Sequence, residues 1–428
     1  MTIAANILLP LLALLWLWLA TSRSHRANFA MTLDAATSLP ALATPSPVFV
    51  TVPARNEADT LPRTIPSICQ QEYPNLRVIV VDDQSDDGSD LVLARLAREH
   101  AKLTVIRGTD RPEGWMGKCW AVQQGVEAIA DLRSEISDFK SEISNLKSEI
   151  SDFKSQIPDD AVLLFTDADI DFHPRAVAQA ASYLQQHQLD ALSLFPRITF
   201  GQPIEALAMA GLVTMLGCMF PLGWVNDPKR ATALAAGGFF MIRAPAYRAV
   251  GGHACVKSHL IEDVNLARKL KAGGAKLQCR HTRDLVSTRM YDGFAETWEG
   301  LAKNAYAGME YQPHKFWVGL IIGLVAGVLP PVYLALATLW AFRAPSFTSL
   351  AALALLCVIN LCMVIVHART TRHLKLPWYH ALFMPLSAAL YTLIAATSFW
   401  QHHFAGGNVW KGRRYGREML LTSVNTPR

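Results

Sequence analysis

The sequence predicts an α/β protein: a mostly parallel sheet in a soluble domain, with a transmembrane anchor before it and transmembrane helices after it. Three observations predict this. Short apolar runs alternate with amphipathic stretches between residues 47 and 170, the pattern of strands joined by crossover helices. The chain has 428 residues, of which 51% are hydrophobic, and its mean hydropathy is positive, too apolar for an ordinary soluble protein of this length. That apolar excess gathers at the two ends, around a charge-rich middle.

The first 22 residues read as an anchor. Residues 3–20 carry no charge, and Arg23, His25 and Arg26 follow at once. A cleaved signal peptide would carry its positive charge before the apolar run. Here the charge comes after it, so the C-terminal side is expected to be cytoplasmic.

The soluble domain is assigned to residues 46–315. Pro47-Val-Phe-Val-Thr-Val-Pro53 is a first strand, and a helix follows over about 59–70. Residues 78–81 form a second strand, 89–99 an amphipathic helix with Ser89 or Asp90 at its N-cap, 103–107 a third strand and 118–130 a helix. A further strand starts at Ala161.

Two acidic clusters end apolar runs, Arg77-Val-Ile-Val-Val-Asp82-Asp83 and Ala161-Val-Leu-Leu-Phe-Thr-Asp167-Ala-Asp169. In an open α/β sheet, ligands collect beyond the carboxyl ends of the strands. A hard cation, Mg²⁺ or Mn²⁺, takes one or two carboxylates together with the phosphates of a bound diphosphate. One such cluster alone is more often a turn or a helix cap. Two in this order favour a metal and phosphate site.

Three apolar segments, about 316–342, 350–366 and 378–400, are each near the length that crosses a bilayer, and a basic tail of residues 401–428 follows. The stretches His367-Ala-Arg-Thr-Thr-Arg-His-Leu-Lys375 and Trp410-Lys-Gly-Arg-Arg-Tyr415 both look cytoplasmic by the positive-inside rule. Three crossings cannot satisfy both. Either the segment containing Pro385 is re-entrant, or Pro330-Pro331 splits the first segment into a hairpin. Another apolar run, residues 204–225, reads as an interfacial segment or a cap on the acceptor cleft, with a buried core helix as the alternative.

Net charge is +5, much of it near predicted membrane boundaries, which favours anionic headgroups over nucleic acid. The seven cysteines show no paired short spacing, so neither a zinc site nor a disulfide framework is indicated. Residues 133–157 are anomalous: Ser134-Glu-Ile-Ser-Asp-Phe-Lys140 recurs nearly verbatim twice more. The apolar positions make a heptad seam flanked by Glu and Lys, which could support self-association. A recent repeat expansion in a tolerant surface loop explains the segment equally well.

Pro53-Ala-Arg-Asn-Glu57, Val81-Asp-Asp-Gln-Ser-Asp-Asp-Gly88, Gly114-Trp-Met-Gly-Lys-Cys-Trp-Ala121, Thr166-Asp-Ala-Asp169 and Ile261-Glu-Asp-Val-Asn-Leu266 follow one another in an order that resembles the inverting family 2 glycosyltransferases of GT-A fold. With Trp224-Val-Asn-Asp-Pro228 and the flanking membrane segments, the chain is most similar to hopene-associated and carotenoid glycosyltransferases of bacteria.

The resemblance implies a Rossmann-like GT-A domain that takes a nucleotide sugar, with a UDP-sugar expected, and a divalent cation. Pro53, Arg55, Glu57, Asp82 and Asp83 would belong to the nucleotide-sugar site, Glu57 and Asp83 holding base and ribose. Lys118 would add positive charge. Asp169 would bind the metal, with Asp167 on the metal or the ribose. Asp263 would be the general base, and Glu262 the second candidate. An inverting transfer needs one such base and a stabilised leaving diphosphate; an acid in the first turn that complements the helix dipole is the plainer reading of Asp263.

Gly237 and Gly238 would let the backbone approach the donor sugar or acceptor, although Gly-Gly is as often a turn. Arg289 and Lys303 are candidate diphosphate partners. The Gln-x-x-Arg-Trp signature of processive relatives is absent; Trp298-Glu-Gly-Leu-Ala-Lys303 stands in that region. The expected activity is therefore transfer of one sugar to a membrane lipid by a multi-pass protein of the inner membrane with a cytoplasmic catalytic domain. A polysaccharide synthase or a polyprenyl-phosphate glycosyltransferase of the same fold is the alternative.

Overall fold

The computed structural model describes residues 2–42, 44–141, 157–410 and 413–415. The chain divides into two compact units, one of residues 1–31, 199–224 and 289–428, the other of residues 32–198 and 225–288.

The second unit is built on a seven-stranded sheet of order β3-β2-β1-β4-β8-β6-β9. Its strands are β1 (Val48–Ala54), β2 (Leu76–Asp82), β3 (Leu103–Arg107), β4 (Val162–Phe165), β6 (Ala191–Phe195), β8 (Phe240–Arg243) and β9 (Leu277–His281). Strands β3, β2, β1 and β4 run parallel, β8 runs antiparallel to β4 and to β6, and β9 is parallel to β6. A smaller sheet sets β10 (Val286–Thr288) between β5 (Ile170–Phe172) and β7 (Arg197–Ile198). This is the mostly parallel α/β sheet that the alternating pattern predicts.

The strand residues explain the layering. A sheet covered on both faces needs apolar side chains at consecutive positions, and β2 supplies Val78, Ile79, Val80 and Val81, all fully buried. Successive side chains point to opposite faces. Val78 and Val80 accordingly join Val50, Val52 and Leu164 in one core, while Ile79 and Val81 join Leu163, Phe165 and Ile242 in the other. Helices Leu61–Cys69, Ser89–Glu99 and Ala176–Gln186 contribute Ile65, Leu93 and Ala180 to the first core. Helices Gly117–Ser141 and Glu262–Ala272 contribute Val122 and Leu266 to the second.

Two local expectations change. The helix over Ser89–Glu99 is capped by Gly88 at φ 90° and not by Ser89 or Asp90. The Ser89 hydroxyl instead accepts the Glu57 N–H at 2.9 Å and donates to Asp87 Oδ1 at 2.6 Å, tying the two loops at the ends of β1 and β2 together. The helix from Gly117 runs on to Ser141, into the start of the repeats; residues 142–156 of the heptad segment lie outside the described residues.

The first unit is mainly helical, with one short two-stranded sheet of Asn408–Trp410 and Arg413–Tyr415. Phe347–His373 and Trp378–Phe404, 27 residues each, are long and apolar enough to cross a membrane. Pro313–Val328 and Pro330–Arg343 form a third apolar stretch bent by 46°, where Pro330 removes a helix hydrogen bond after a π-helical turn at Gly323–Val328. The bend is far short of a hairpin. Pro385 sits in the first turn of Met384–Phe404, where proline is tolerated. Helix Thr2–Thr21 packs its Leu12, Trp16 and Leu19 with Ile359, Met363 and Val366 of the long helix. Helix Pro203–Met219 packs in the same unit, close enough that Gly211 lies against the Ser387 backbone.

Candidate active site

The site of the second unit forms where four chain segments meet at one end of the sheet. Helix Gly117–Ser141 begins immediately before Lys118. Asp167 and Asp169 follow β4, Gly237 precedes β8, and helix Glu262–Ala272 opens with Glu262 and Asp263. Pro53, Lys118, Thr166, Gly237, Glu262 and Asp263 share one cleft.

Lys118 organises it. Its ammonium donates to Asp167 Oδ1 at 2.5 Å and to Glu262 Oε1 at 2.6 Å. Burial alone would lower its pKa, but Asp167, Glu262 and Asp263 outweigh that and hold it well above the ordinary lysine value. Lys118 is therefore a fixed positive charge among carboxylates. Gly237 lets the three groups converge. A Cβ at that position would lie 2.9 Å from Lys118 Nζ and 3.3 Å from both Asp167 Oδ2 and Asp263 Oδ2, so any side chain there would push the cluster apart. Gly238 is closed in by Pro196 and Ile170, at 2.8 and 2.9 Å from such a Cβ, and its carbonyl accepts the Thr166 hydroxyl at 2.8 Å.

Two carboxyls are unusually weak acids. Burial and the neighbouring Glu262 carboxylate push Asp263 up to about 7, against the opposing pull of Lys118 and of the Val264 N–H, which donates to Asp263 Oδ1 at 2.7 Å. Burial, Asp167 and Glu57 push Asp169 up to about 7 as well, although the Thr288 hydroxyl donates to Asp169 Oδ2 at 3.1 Å. The pair of raised acids marks a place where negative charge accumulates beyond what Lys118 neutralises.

The residues fit a divalent cation in a specific way. Among the described residues no three His, Cys, Asp or Glu side chains assemble a ready-made metal cage. A magnesium-like ion does not need one, because it takes one or two carboxylates and completes its shell with substrate phosphates and water. Asp169, crowded by like charge and not bound to Lys118, suits that role. Asp167 is already committed to Lys118.

The remaining expected residues divide. Arg55 donates to the Asp83 and Gln84 carbonyls at 2.6 and 3.3 Å, and Asn56 and Gln84 adopt left-handed backbone at φ 53° and 55°. These contacts build a rigid two-loop wall at the ends of β1 and β2. Buried Asp82 serves that wall, its Oδ1 accepting the Ser85 N–H at 3.0 Å. Asp83 is buried beside it. Arg289 and Lys303 fall in the helical unit, where Arg289 pairs with Asp292 at 2.7 Å.

Sequence reasoning missed Thr288 and His253. Thr288 reaches Asp169 because β10 pairs with β5, a contact across more than a hundred residues that no local pattern signals. His253 lines the cleft, and burial pushes its imidazole down to about 3, so it is neutral. Tyr247 OH lies 2.8 Å from its Nδ1 and accepts its backbone N–H at 3.0 Å. All seven cysteines are free.

A charged cleft at the end of a mostly parallel sheet is where α/β enzymes bind their ligands, and residues 45–309, which contain it, match the family Glycosyltransferase like family 2. The chain belongs to that family. Among curated relatives, it is 26% identical over 375 residues to a 4,4'-diaponeurosporenoate glycosyltransferase of Staphylococcus aureus (strain USA300), covering 86% of this chain and 87% of that one. It is 27% identical over 274 residues to the protein so named from Staphylococcus haemolyticus, an alignment that spans 62% of this chain and 63% of the relative. The fold is shared with a mannosyltransferase of Pyrobaculum calidifontis, solved with GDP-Man and Mn²⁺, at TM-score 0.51 and 17% identity over 92% of this chain and 99% of that one.

Proposed function

We propose that this glycosyltransferase moves a single sugar from a nucleotide sugar, a UDP-sugar being the expected donor, to a membrane lipid of polyprenoid type, with inversion. The observation that carries the reading is the convergence of Lys118, Asp167 and Asp263 on Gly237, with Glu262 bound to Lys118 and Asp169 a weakened acid beside Asp167. The curated relatives named for a carotenoid carboxylate support the lipid class. The helices able to cross a membrane support a multi-pass membrane protein. The anchor at residues 1–22 and a cytoplasmic catalytic domain complete that reading.

Each residue then has a task. Arg55 and the loops of Asn56 and Gln84 hold the wall against which Glu57 and Asp83 bind base and ribose. Asp169 would hold the divalent cation, which would supply positive charge to the departing diphosphate. Lys118 holds Asp167 and Glu262 in place through its two short contacts. Asp263, poised near neutrality, takes the proton from the acceptor hydroxyl as the hydroxyl attacks the anomeric carbon from the face opposite the leaving nucleotide. His253, neutral and fixed by Tyr247, lines the cleft without adding charge.

The test is transfer by the purified full-length protein in detergent. Labelled UDP-sugars are offered with a lipid extract, with Mg²⁺ or Mn²⁺ and with chelator. One added sugar per lipid, lost on chelation, is the expected result. Undiminished transfer in excess chelator would refute the metal assignment, and polymeric product would refute single transfer.

A further inference from the structure

The helical unit contains a small open recess that the transfer reaction does not use. The polar groups of His25, Asn28, Thr214, Arg369 and Thr370 line it together with the apolar Phe29 and Val366, beside the short basic helix Arg23–Arg26 and the last turn of Phe347–His373. We propose that this recess binds the anionic headgroup of a membrane phospholipid, one that carries a hydroxyl beside its phosphate. The inference rests on the reading of this unit as membrane-embedded.

Charge is the first argument. Arg23, Arg26, Arg369 and Arg372 cluster at these helix ends, and among the described residues none of them forms a salt bridge with a carboxylate. Basic recesses between membrane helices at the interface are the setting in which anionic headgroups bind. Arg369 is held in place by the helix end itself: its guanidinium donates to the Leu19 and Ala20 carbonyls at 3.3 and 2.6 Å. Two donor positions are thereby used, and a guanidinium has five, leaving N–H groups for a phosphate.

The second argument is His25. Its side chain is buried, with 6% exposure, and it lines the recess. Its Nε2 lies 3.1 Å from the Cys218 carbonyl, which can only accept, so Nε2 donates there and in that tautomer Nδ1 is an acceptor. That Nδ1 is buried and has no partner, a costly state for a polar atom. A headgroup hydroxyl would donate to it while the phosphate meets Arg369. The ring itself is held edge-on by Trp18, with centroids 4.6 Å apart, so its direction is set before any ligand arrives. Thr370 and Thr214 add hydroxyls, 3.0 Å apart.

The test uses the full-length protein in detergent and phosphatidylglycerol with a photoreactive group on the first carbons of an acyl chain, next to the glycerol, competed with unlabelled phosphatidylglycerol, phosphatidylcholine or inorganic phosphate. The crosslinked peptide is located by mass spectrometry. The inference expects crosslinks confined to residues 22–30 and 366–373, displaced by phosphatidylglycerol and not by phosphatidylcholine.

Arg369→Gln should weaken retention about fivefold, the worth of one arginine at an anionic surface. Because that change also uncaps a helix, His25→Phe is the second variant: it keeps the ring contacts, removes Nδ1 and should lower preference for phosphatidylglycerol over phosphatidylcholine. Equal competition by the two lipids, or unchanged retention in both variants, overturns the inference. Displacement by inorganic phosphate as readily as by lipid assigns the recess to a soluble anion and overturns it too. A chain that stays soluble without detergent would fail the membrane reading instead.

Discussion

Replacing Asp263 with Asn removes a carboxyl that burial and the Glu262 carboxylate hold at about 7. A base of that pKa is roughly one tenth ionised at pH 6 and roughly nine tenths at pH 8, so kcat/KM toward a hydroxyl acceptor should rise about tenfold across that interval. Loss of a general base costs about 10²- to 10⁴-fold, or about 3–5 kcal/mol of barrier at 1.36 kcal/mol per decade. Asp263→Asn should show that loss, and its residual activity should not respond to pH in this window. The stability effect has the opposite sign. Because the folded-state pKa is raised, the folded protein keeps a proton that the unfolded chain has already released between about pH 4 and 7, and stability falls as pH rises through that window. The Asn variant should therefore be at least as stable as the wild type at pH 8. The assay is the initial rate of labelled-sugar transfer in detergent, with thermal unfolding followed in parallel. Activity of Asp263→Asn within threefold of wild type, or a flat wild-type profile with a hydroxyl acceptor, would refute the assignment. A carboxylate acceptor, already ionised, should escape most of the loss.

Asp169→Ala should reduce transfer by about a hundredfold or more and abolish its response to added Mg²⁺ or Mn²⁺, read from rate against metal concentration. Gly237→Ala should place a methyl 2.9 Å from Lys118 Nζ and cost about ten- to a hundredfold in kcat, while unfolding shifts by no more than about 1 kcal/mol; an unaffected kcat would mean the convergence at Gly237 is incidental. Deleting residues 134–154 should leave activity largely unchanged, and complete loss in a folded variant would show that the repeats do more than fill a loop.

Much of the catalytic unit was readable because its signals are local. The continuous apolar runs of β1, β2 and β4 and the amphipathic helix Ser89–Glu99 each carry their own periodicity, and the sheet order among them follows from crossover connections. Lys118, Asp167 and Asp263 were legible as motif residues at element ends. Their mutual geometry was not. That Lys118 joins Asp167 to Glu262 depends on helices separated by more than a hundred residues packing at one sheet edge. The antiparallel direction of β8 within a parallel sheet had no signature, because three buried apolar residues, Phe240, Met241 and Ile242, look alike in either direction. Thr288 and His253 are ordinary residues until tertiary pairing places them. At Ser89 a capping residue was expected and Gly88 took the position, because the serine hydroxyl was more strongly engaged by the Glu57 N–H and Asp87. In the helical unit, hydropathy found the long segments and the Pro330-Pro331 pair marked the break between two of them, but the recess around His25 arises from packing that hydropathy does not encode.

The most direct test of the central claim is mass spectrometry of lipid extracts from cells fed labelled sugar, comparing those that carry this protein, its Asp169→Ala variant or neither. The account predicts one new lipid species bearing a single labelled sugar with the wild type alone. A ladder of longer glycans, or the same species with the Asp169→Ala variant, would contradict it.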